Sequence, residues 1–313
     1  MTIHFYLKYD TEFGQDLRLN IIGGASSETT SYGMTTGDGR TWQCDIEMVK
    51  IPERIDYFYS LDNSGREERH EWQTITHRLE LNATKAKEYT VYNSWTDIPY
   101  DSYLYSSAFT DCVNRRHHES LPKSNYDKTL RLIVRAPQLR KGEHLYIAGE
   151  SSCLGNWHTN RALKMYEHNY NEWVADLDIE AFKEKVAELK FIATTDNGDV
   201  LWETGFNRKI EIPELKKGEA CVYDMEQAFF EICDTKLAGT LVPVFSLRTK
   251  ESFGVGDFGD LKMMIDWVAE TKQKVLQVLP INDTTSTHTW TDSYPYSCIS
   301  IFALHPQYAD LRQ

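Results

Sequence analysis

Leu154-Gly155-Asn156-Trp157 opens, and Trp202-Glu203-Thr204-Gly205-Phe206-Asn207-Arg208 closes, the stretch whose reading decides the fold. Between them, Trp173, Ala175, Leu177 and Ile179 alternate as on a strand with one apolar face. Leu189-Lys190-Phe191-Ile192 reads as another strand, and Asp196-Asn197-Gly198-Asp199 tolerates the positive φ angles of a tight hairpin turn. Such a hairpin brings Lys190 near Trp202. Gly155 and Asn156 put Trp157 in a loop, and Trp202 follows a turn directly, so neither sits mid-strand in an alternating apolar row. Two flat apolar faces, a cation at Lys190, a carboxylate at Glu203 and an amide at Asn207 suit a neutral sugar. The C–H face of a pyranose stacks on an indole while paired donors and acceptors take its hydroxyls. Singly, each residue is ordinary for an all-β domain, with tryptophan in the core and Lys and Asn on the surface.

As a set, residues 127 to 230 resemble a starch-binding module of carbohydrate-binding family 20, through Leu-Gly-Asn-Trp, a Lys in a late strand, and Trp-Glu followed by Asn-Arg. The resemblance implies an antiparallel β-sandwich with Trp157, Lys190, Trp202, Glu203 and Asn207 at its first glucan site. The family's other surface uses two tyrosines and a tryptophan, and Tyr146, Tyr166 and Trp173 fall at the matching places. Trp173 fits a core position on its alternating strand equally well.

The chain has 313 residues, enough for two or three domains, and a formal net charge of −13. That charge argues against a nucleic-acid groove or an anionic membrane surface, both of which need a concentrated basic face. A neutral polysaccharide makes no such demand. Aromatic residues make up 12%, with 8 Trp and 18 Tyr, which suits sugar binding and β-sandwich cores alike. The cysteines, Cys44, Cys112, Cys153, Cys221, Cys233 and Cys298, form no Cys-x-x-Cys and read as free thiols. The first ten residues alternate like a strand, without the basic region and apolar core of an export signal, and no apolar run approaches a membrane span. The expected compartment is the cytoplasm. Cys112 with His117 and His118 is a poor metal set, because adjacent histidines project differently and no fourth ligand is near; neither metal nor cofactor is expected.

The first segment repeats the second. Gly14 with Gly142, Trp42 with Trp173, Trp72 with Trp202 and Arg78 with Arg208 stand at a nearly constant offset. Residues 1–95 therefore read as a degraded copy of the same β-sandwich, with strands near Ile3 to Tyr9, Leu17 to Ile22, Trp42 to Met48, Ile55 to Leu61 and Arg78 to Leu81. Leu-Gly-Asn-Trp is missing between Gly23 and Gly39, Phe58 or a neighbour holds the lysine place, and His77 stands for Asn207. Trp72 alone survives as a candidate glucan contact, with hairpin packing as its other reading. Residues 96–128 read as an aromatic-rich linker in which Tyr103, Tyr105 and Phe109 cover an inter-module surface.

From about Leu237 the pattern changes class. Thr240 to Leu247 is a continuous apolar run, as in a strand buried on both faces. Leu261, Met264, Ile265 and Val268 recur at helical spacing behind Asp260, and Lys274 to Leu279 is a second strand. Strand, helix and strand make a βαβ unit. Gly254-Val255-Gly256-Asp257-Phe258-Gly259 matches a dinucleotide fingerprint, but Arg248 to Ser252 separate it from the strand, whereas that fold needs a tight turn. Phe245-Ser246-Leu247-Arg248, Phe253 to Leu261, Leu276-Gln277-Val278-Leu279-Pro280 and Asp292-Ser293-Tyr294-Pro295-Tyr296-Ser297 together resemble the start of a 4-alpha-glucanotransferase of glycoside hydrolase family 77. The resemblance implies a (β/α)8 barrel with its active site on the loops after the strands, where Asp292, Ser293 and Tyr296 would line glucan subsites.

The fold expected is therefore mainly β: two tandem immunoglobulin-like antiparallel sandwiches at 1–95 and 129–235, followed by the first βαβ unit of a (β/α)8 barrel at 236–313. A retaining glucan transfer needs a carboxylate nucleophile and an acid about 5 Å apart. The family carries these on later strands, and Asp283, Asp292 and Asp310 match neither motif, so no catalytic residue is assigned. The expected function is the glucan-binding N-terminal portion of a 4-alpha-glucanotransferase acting on maltose, maltodextrin or glycogen-like glucan, the chain itself being an inactive, truncated piece. The alternative is a non-catalytic starch-binding or scaffold protein.

Overall fold

The computed structural model describes all residues except 24–28, 83, 114–119, 170, 196, 232–236 and 313, and of Cys112 only the backbone. His117, His118, Cys233 and Asp196 thus lie outside the described residues. Residues 1–232 and 233–313 form two compact units.

In the first unit, one copy of the repeat contributes β1 (Thr2–Lys8), β2 (Gln15–Ile22), β3 (Thr29–Gly33), β4 (Thr35–Thr36), β5 (Thr41–Glu47), β6 (Arg54–Asn63), β7 (Arg66–His70), β8 (His77–Glu80) and β9 (Glu88–Ser94). The other contributes β10 (Lys128–Arg135), β11 (Glu143–Gly149), β12 (Leu163–Lys164), β13 (Tyr166–Asn169), β14 (Glu172–Asp178), β15 (Val186–Thr195), β16 (Val200–Trp202), β17 (Arg208–Glu211) and β18 (Glu219–Gln227). Each copy has its own small sheet, β3-β2-β6-β7 with β8 on β6, and β12-β11-β15-β16 with β17 on β15. The remaining strands make a single sheet in the order β13-β14-β10-β18-β9-β1-β5-β4. The two sandwiches expected are present and share one sheet, because β18 of the second copy pairs in parallel with β9 of the first, Val222 opposite Val91 and Tyr223 opposite Tyr92.

Strand periodicity explains how one sheet serves two cores. Side chains alternate between faces. Ile3, Phe5, Leu7, Tyr89 and Val91 fill the first core, and Val222, Ile133 and Val174 of the second copy continue it on the same face. Leu130, Leu132, Val134, Trp173, Ala175 and Leu177 fill the second core on the opposite face. Strand β10 is accordingly buried on both faces along most of its length, and its polar Arg131 is neutralised by Asp176 through 2.7 and 2.9 Å hydrogen bonds.

The copies superpose in register, which corrects two of the landmark pairs. Gly14 and Gly142 both take left-handed φ, 92° and 83°, and Trp42 and Trp173 stand opposite Leu7 and Val134. Ser60 opposes His70 as Ile192 opposes Trp202, and Tyr57 opposes His77 as Leu189 opposes Arg208. The counterpart of Trp202 is therefore His70, not Trp72, and that of Arg208 is His77, not Arg78. His77 consequently does not occupy the place of Asn207. Trp72 packs edge-on against Tyr105 with ring centroids 5.3 Å apart. Tyr105 is buried, while Tyr103 is exposed and meets Phe109 at 5.0 Å.

In the second unit, β19 (Gly239–Val242) and β20 (Val275–Val278) pair in parallel around α1 (Phe258–Glu270), a βαβ unit. Asp257 caps α1, accepting the Asp260 amide at 2.9 Å while Asp260 accepts the Asp257 amide at 3.1 Å, a reciprocal capping box. Both strands were expected to be buried on two faces, yet Leu241 is 58% and Val275 39% exposed, since no further strand or helix covers them among the described residues. Gly256 in the glycine run serves packing, since a Cβ there would overlap the Val244 carbonyl oxygen.

Candidate functional site

The 152–161 loop is built to present Trp157. Gly155, Asn156 and Trp157 are consecutively left-handed, at φ 83°, 49° and 62°. Glycine is required at 155, because a Cβ there would lie 2.7 Å from the Arg161 carbonyl oxygen. A tryptophan held left-handed costs about 1–3 kcal/mol, and such strain persists where surrounding structure over-determines it, commonly at functional positions. Here the Trp157 amide donates to the Gly149 carbonyl at 2.7 Å, and the His158 ring bonds the Asn156 carbonyl at 2.8 Å.

The other wall comes from the hairpin of β15 and β16. Gly198 turns it at φ 87°, its amide donating to Thr195 at 2.9 Å. The turn sets Trp202 opposite Ile192, 37% exposed, with its ring 6.3 Å from that of Trp157 and tilted by 40°. The two indoles are tilted in a V rather than closed in a parallel stack. Lys190 donates to the Gly205 carbonyl at 2.7 Å, and Asn207 donates to Glu188 at 3.3 Å. The Glu188 carboxyl is held below its ordinary range by hydrogen bonds from Lys209 and Asn207. Trp157, Trp202, Lys190 and Asn207 are thus gathered on one rim.

Glu203 is not gathered with them. It follows Trp202, so the strand alternation turns it inward, and it is 3% exposed. Its carboxylate accepts the Phe191 amide at 2.9 Å and Arg208 Nη2 at 2.8 Å, which leaves a structural role and withdraws its side chain from direct sugar contact. Trp173 is likewise withdrawn from the second surface: at 1% exposure it belongs to the core of the second sandwich. Tyr146 and Tyr166 remain half-buried, with the Lys164 ammonium 5.1 Å from the centre of the Tyr166 ring. Phe206, 98% exposed between Trp202 and Asn207, was not singled out from the sequence. Its signal was an aromatic residue after Gly205 in a loop too short to bury it.

The structure leaves Tyr296 58% exposed, its ring 5.5 Å from that of Tyr294. Asp292 accepts the Thr287 and His288 amides at 2.9 and 2.7 Å, and so orders the loop. Ser293 is exposed. Among the described residues no group of three His, Cys, Asp or Glu could hold a metal ion, and no helix is long and apolar enough to cross a membrane.

Residues 129–222 match the family model for the starch binding domain, and residues 242–313 match that for 4-alpha-glucanotransferase. A 4-alpha-glucanotransferase of Oryza sativa subsp. japonica is 27% identical over 330 residues, covering 98% of this chain and 34% of that protein. One from Chlamydia trachomatis serovar D is 52% identical over 68 residues, 22% of this chain and 12% of that protein. The family 20 module of a maltotetraose-forming amylase from Pseudomonas saccharophila aligns with 18% identity and a TM-score of 0.25, over 30% of this chain and 98% of that chain. The chain spans about a third or less of the length of these curated relatives. It is similar, in this order, to a starch binding domain over residues 129–222 and to the 4-alpha-glucanotransferase family over residues 242–313.

Proposed function

We propose that this chain is the glucan-binding N-terminal portion of a 4-alpha-glucanotransferase that moves α-1,4-glucan segments between maltose, maltodextrin or glycogen-like acceptors. The observation that carries the binding role is the V of half-buried Trp157 and exposed Trp202, with Lys190 and Asn207 on its rim, inside the segment that matches a starch binding domain. Indole faces supply the apolar contact, and each sugar hydroxyl bond largely replaces one to water.

The transfer is retaining: a carboxylate forms a glycosyl-enzyme, and a sugar hydroxyl instead of water resolves it. None of the residues of this chain is given that role, so the chain alone leaves maltotriose unconverted. Tyr296, Asp292 and Ser293 belong to the subsites of the parent's (β/α)8 barrel, of which residues 236–313 are the start. Domains at 1–95 and 129–235 bracket the 96–128 segment. The free thiols at Cys44, Cys153, Cys221 and Cys298 favour a reducing compartment, the cytoplasm.

Calorimetry with maltoheptaose tests the binding role. Trp157→Ala with Trp202→Ala weakens binding by roughly 1–3 kcal/mol in a chain that still melts cooperatively. Unchanged affinity in that double variant refutes it.

A further inference from the structure

The fused sheet carries a second aromatic surface away from the indole pair. Tyr6, Tyr92 and Tyr223 lie on adjacent strands in register, Tyr6 opposite Tyr92 and Tyr92 opposite Tyr223. Their rings stack with centroids 5.1 Å apart in both steps, at 24° and 17°. The row therefore runs about 10 Å across the seam between the two copies, following the strand spacing. It forms the floor of a groove of about 490 Å³ walled by Lys8 on one side and by Lys209 and Glu211 of β17 on the other.

We infer that this groove is an extension of the glucan site, holding the continuation of an α-1,4-glucan chain whose end is bound at Trp157 and Trp202; the inference rests on the glucan-binding reading above. Three observations carry it. The first is continuity: Asn207 on the indole rim donates to Glu188 at 3.3 Å, and Glu188 accepts Lys209, a groove wall residue, at 2.9 Å. One strand, β17, thus follows directly from the indole site and leads to the tyrosine row. The second is the chemistry of the lining. Lys8 and Lys209 are balanced by Glu211 and Asp224, so no net charge selects an ion, and Thr41, Asn93 and Ser94 add neutral polar groups of the kind a polyhydroxylated chain uses. The third is that Tyr92 is 36% exposed on the face where Lys209 and Glu211 also line the groove, so its ring can be reached by a ligand.

The groove reading separates short glucans from long ones. Tyr92→Ala lowers the affinity of the full chain for a size-fractionated, long linear maltodextrin about tenfold and leaves maltotriose binding unchanged. Unchanged affinity for the long maltodextrin in a cooperatively melting Tyr92→Ala chain overturns the groove, whereas the Trp157→Ala, Trp202→Ala chain independently tests the indole site with maltotriose. Should Tyr92→Ala fail to fold, the aromatic NMR signals of Tyr6, Tyr92 and Tyr223 in the unaltered chain decide. Shifts with the long maltodextrin but none with maltotriose support the groove. No shift with either overturns it.

Discussion

Arg208 grips Glu203 through both Nε, at 3.1 Å, and Nη2, at 2.8 Å, and His77 grips Glu71 at 3.1 Å in the equivalent place of the first copy. Each glutamate also accepts the amide of the residue opposite it on the neighbouring strand, Phe191 or Tyr59. A buried carboxylate tying a short strand to the sheet is thus retained in both copies, while the ligand-facing residues diverge: Trp202 becomes His70 and Lys190 becomes Phe58.

Glu203→Ala should therefore act on stability first. It leaves the Phe191 amide unpaired and the Arg208 guanidinium with only the Met225 and Gln227 carbonyls, and breaking a buried pair from one side costs about 3–5 kcal/mol. Glu203→Gln, which still accepts the Phe191 amide, should cost less. Urea unfolding of both variants checks the order. A Glu203→Ala chain of wild-type stability that no longer binds maltoheptaose would return Glu203 to the sugar-contact set.

Gly155→Ala should damage binding without touching an aromatic residue. The left-handed φ of 83° costs an alanine about 1–2 kcal/mol, and its methyl meets the Arg161 carbonyl oxygen at 2.7 Å. The loop must shift, and Trp157 shifts with it. Maltoheptaose affinity should fall toward that of Trp157→Ala, as measured by calorimetry on the folded variant.

The seam between the copies should make stability depend on pH. His77 lies between Glu71 at 3.1 Å and Asp224 at 3.5 Å, and Arg135 reaches Asp224 at 3.6 Å. Burial opposes charge on His77, but the Glu71 and Asp224 carboxylates outweigh it and raise the imidazole from 6.5 to about 10. Its contribution is complete below pH 6.5 and lost as pH rises through about 10. Burial raises Glu172 from 4.5 to about 7 despite Arg135, so its contribution is present below pH 4.5 and lost as pH rises through about 7. Asp224 goes the other way: burial is overcome by Arg135 and His77, and its pKa falls from 3.8 to about 2. Its contribution is present above pH 3.8 and lost as pH falls through about 2. Urea midpoints should decline in two steps as pH rises, His77→Gln abolishing the upper and Glu172→Gln the lower. A flat profile from pH 5 to 10 would refute the cluster's ionisation as described.

Tyr296→Ala, made in the parent glucanotransferase proposed above, should raise KM for maltodextrin or lower kcat/KM while leaving the melting temperature almost unchanged. At 58% exposure the ring contributes little packing that its removal could disturb. A large fall in melting temperature with kinetics preserved would make it a packing residue.

Much of this was legible in the residues themselves, because local stereochemistry settles it. Gly155-Asn156 forces the loop that carries Trp157, Asn197-Gly198 turns the hairpin that carries Trp202, and the change from strand alternation to helical spacing after Leu237 announces the βαβ unit. The inward face of Glu203 was also implicit, since consecutive strand residues point to opposite sides. Other features depended on distant pairing. Register decided that His70, and not Trp72, stands where Trp202 stands, because a two-residue slip keeps the same face and so leaves the alternation pattern intact. The joining of β9 to β18, with the Tyr6, Tyr92 and Tyr223 row it assembles, came only from tertiary structure. Edge strands present the same unpaired amides and carbonyls to any partner, and which edge meets which is decided by packing between segments more than a hundred residues apart.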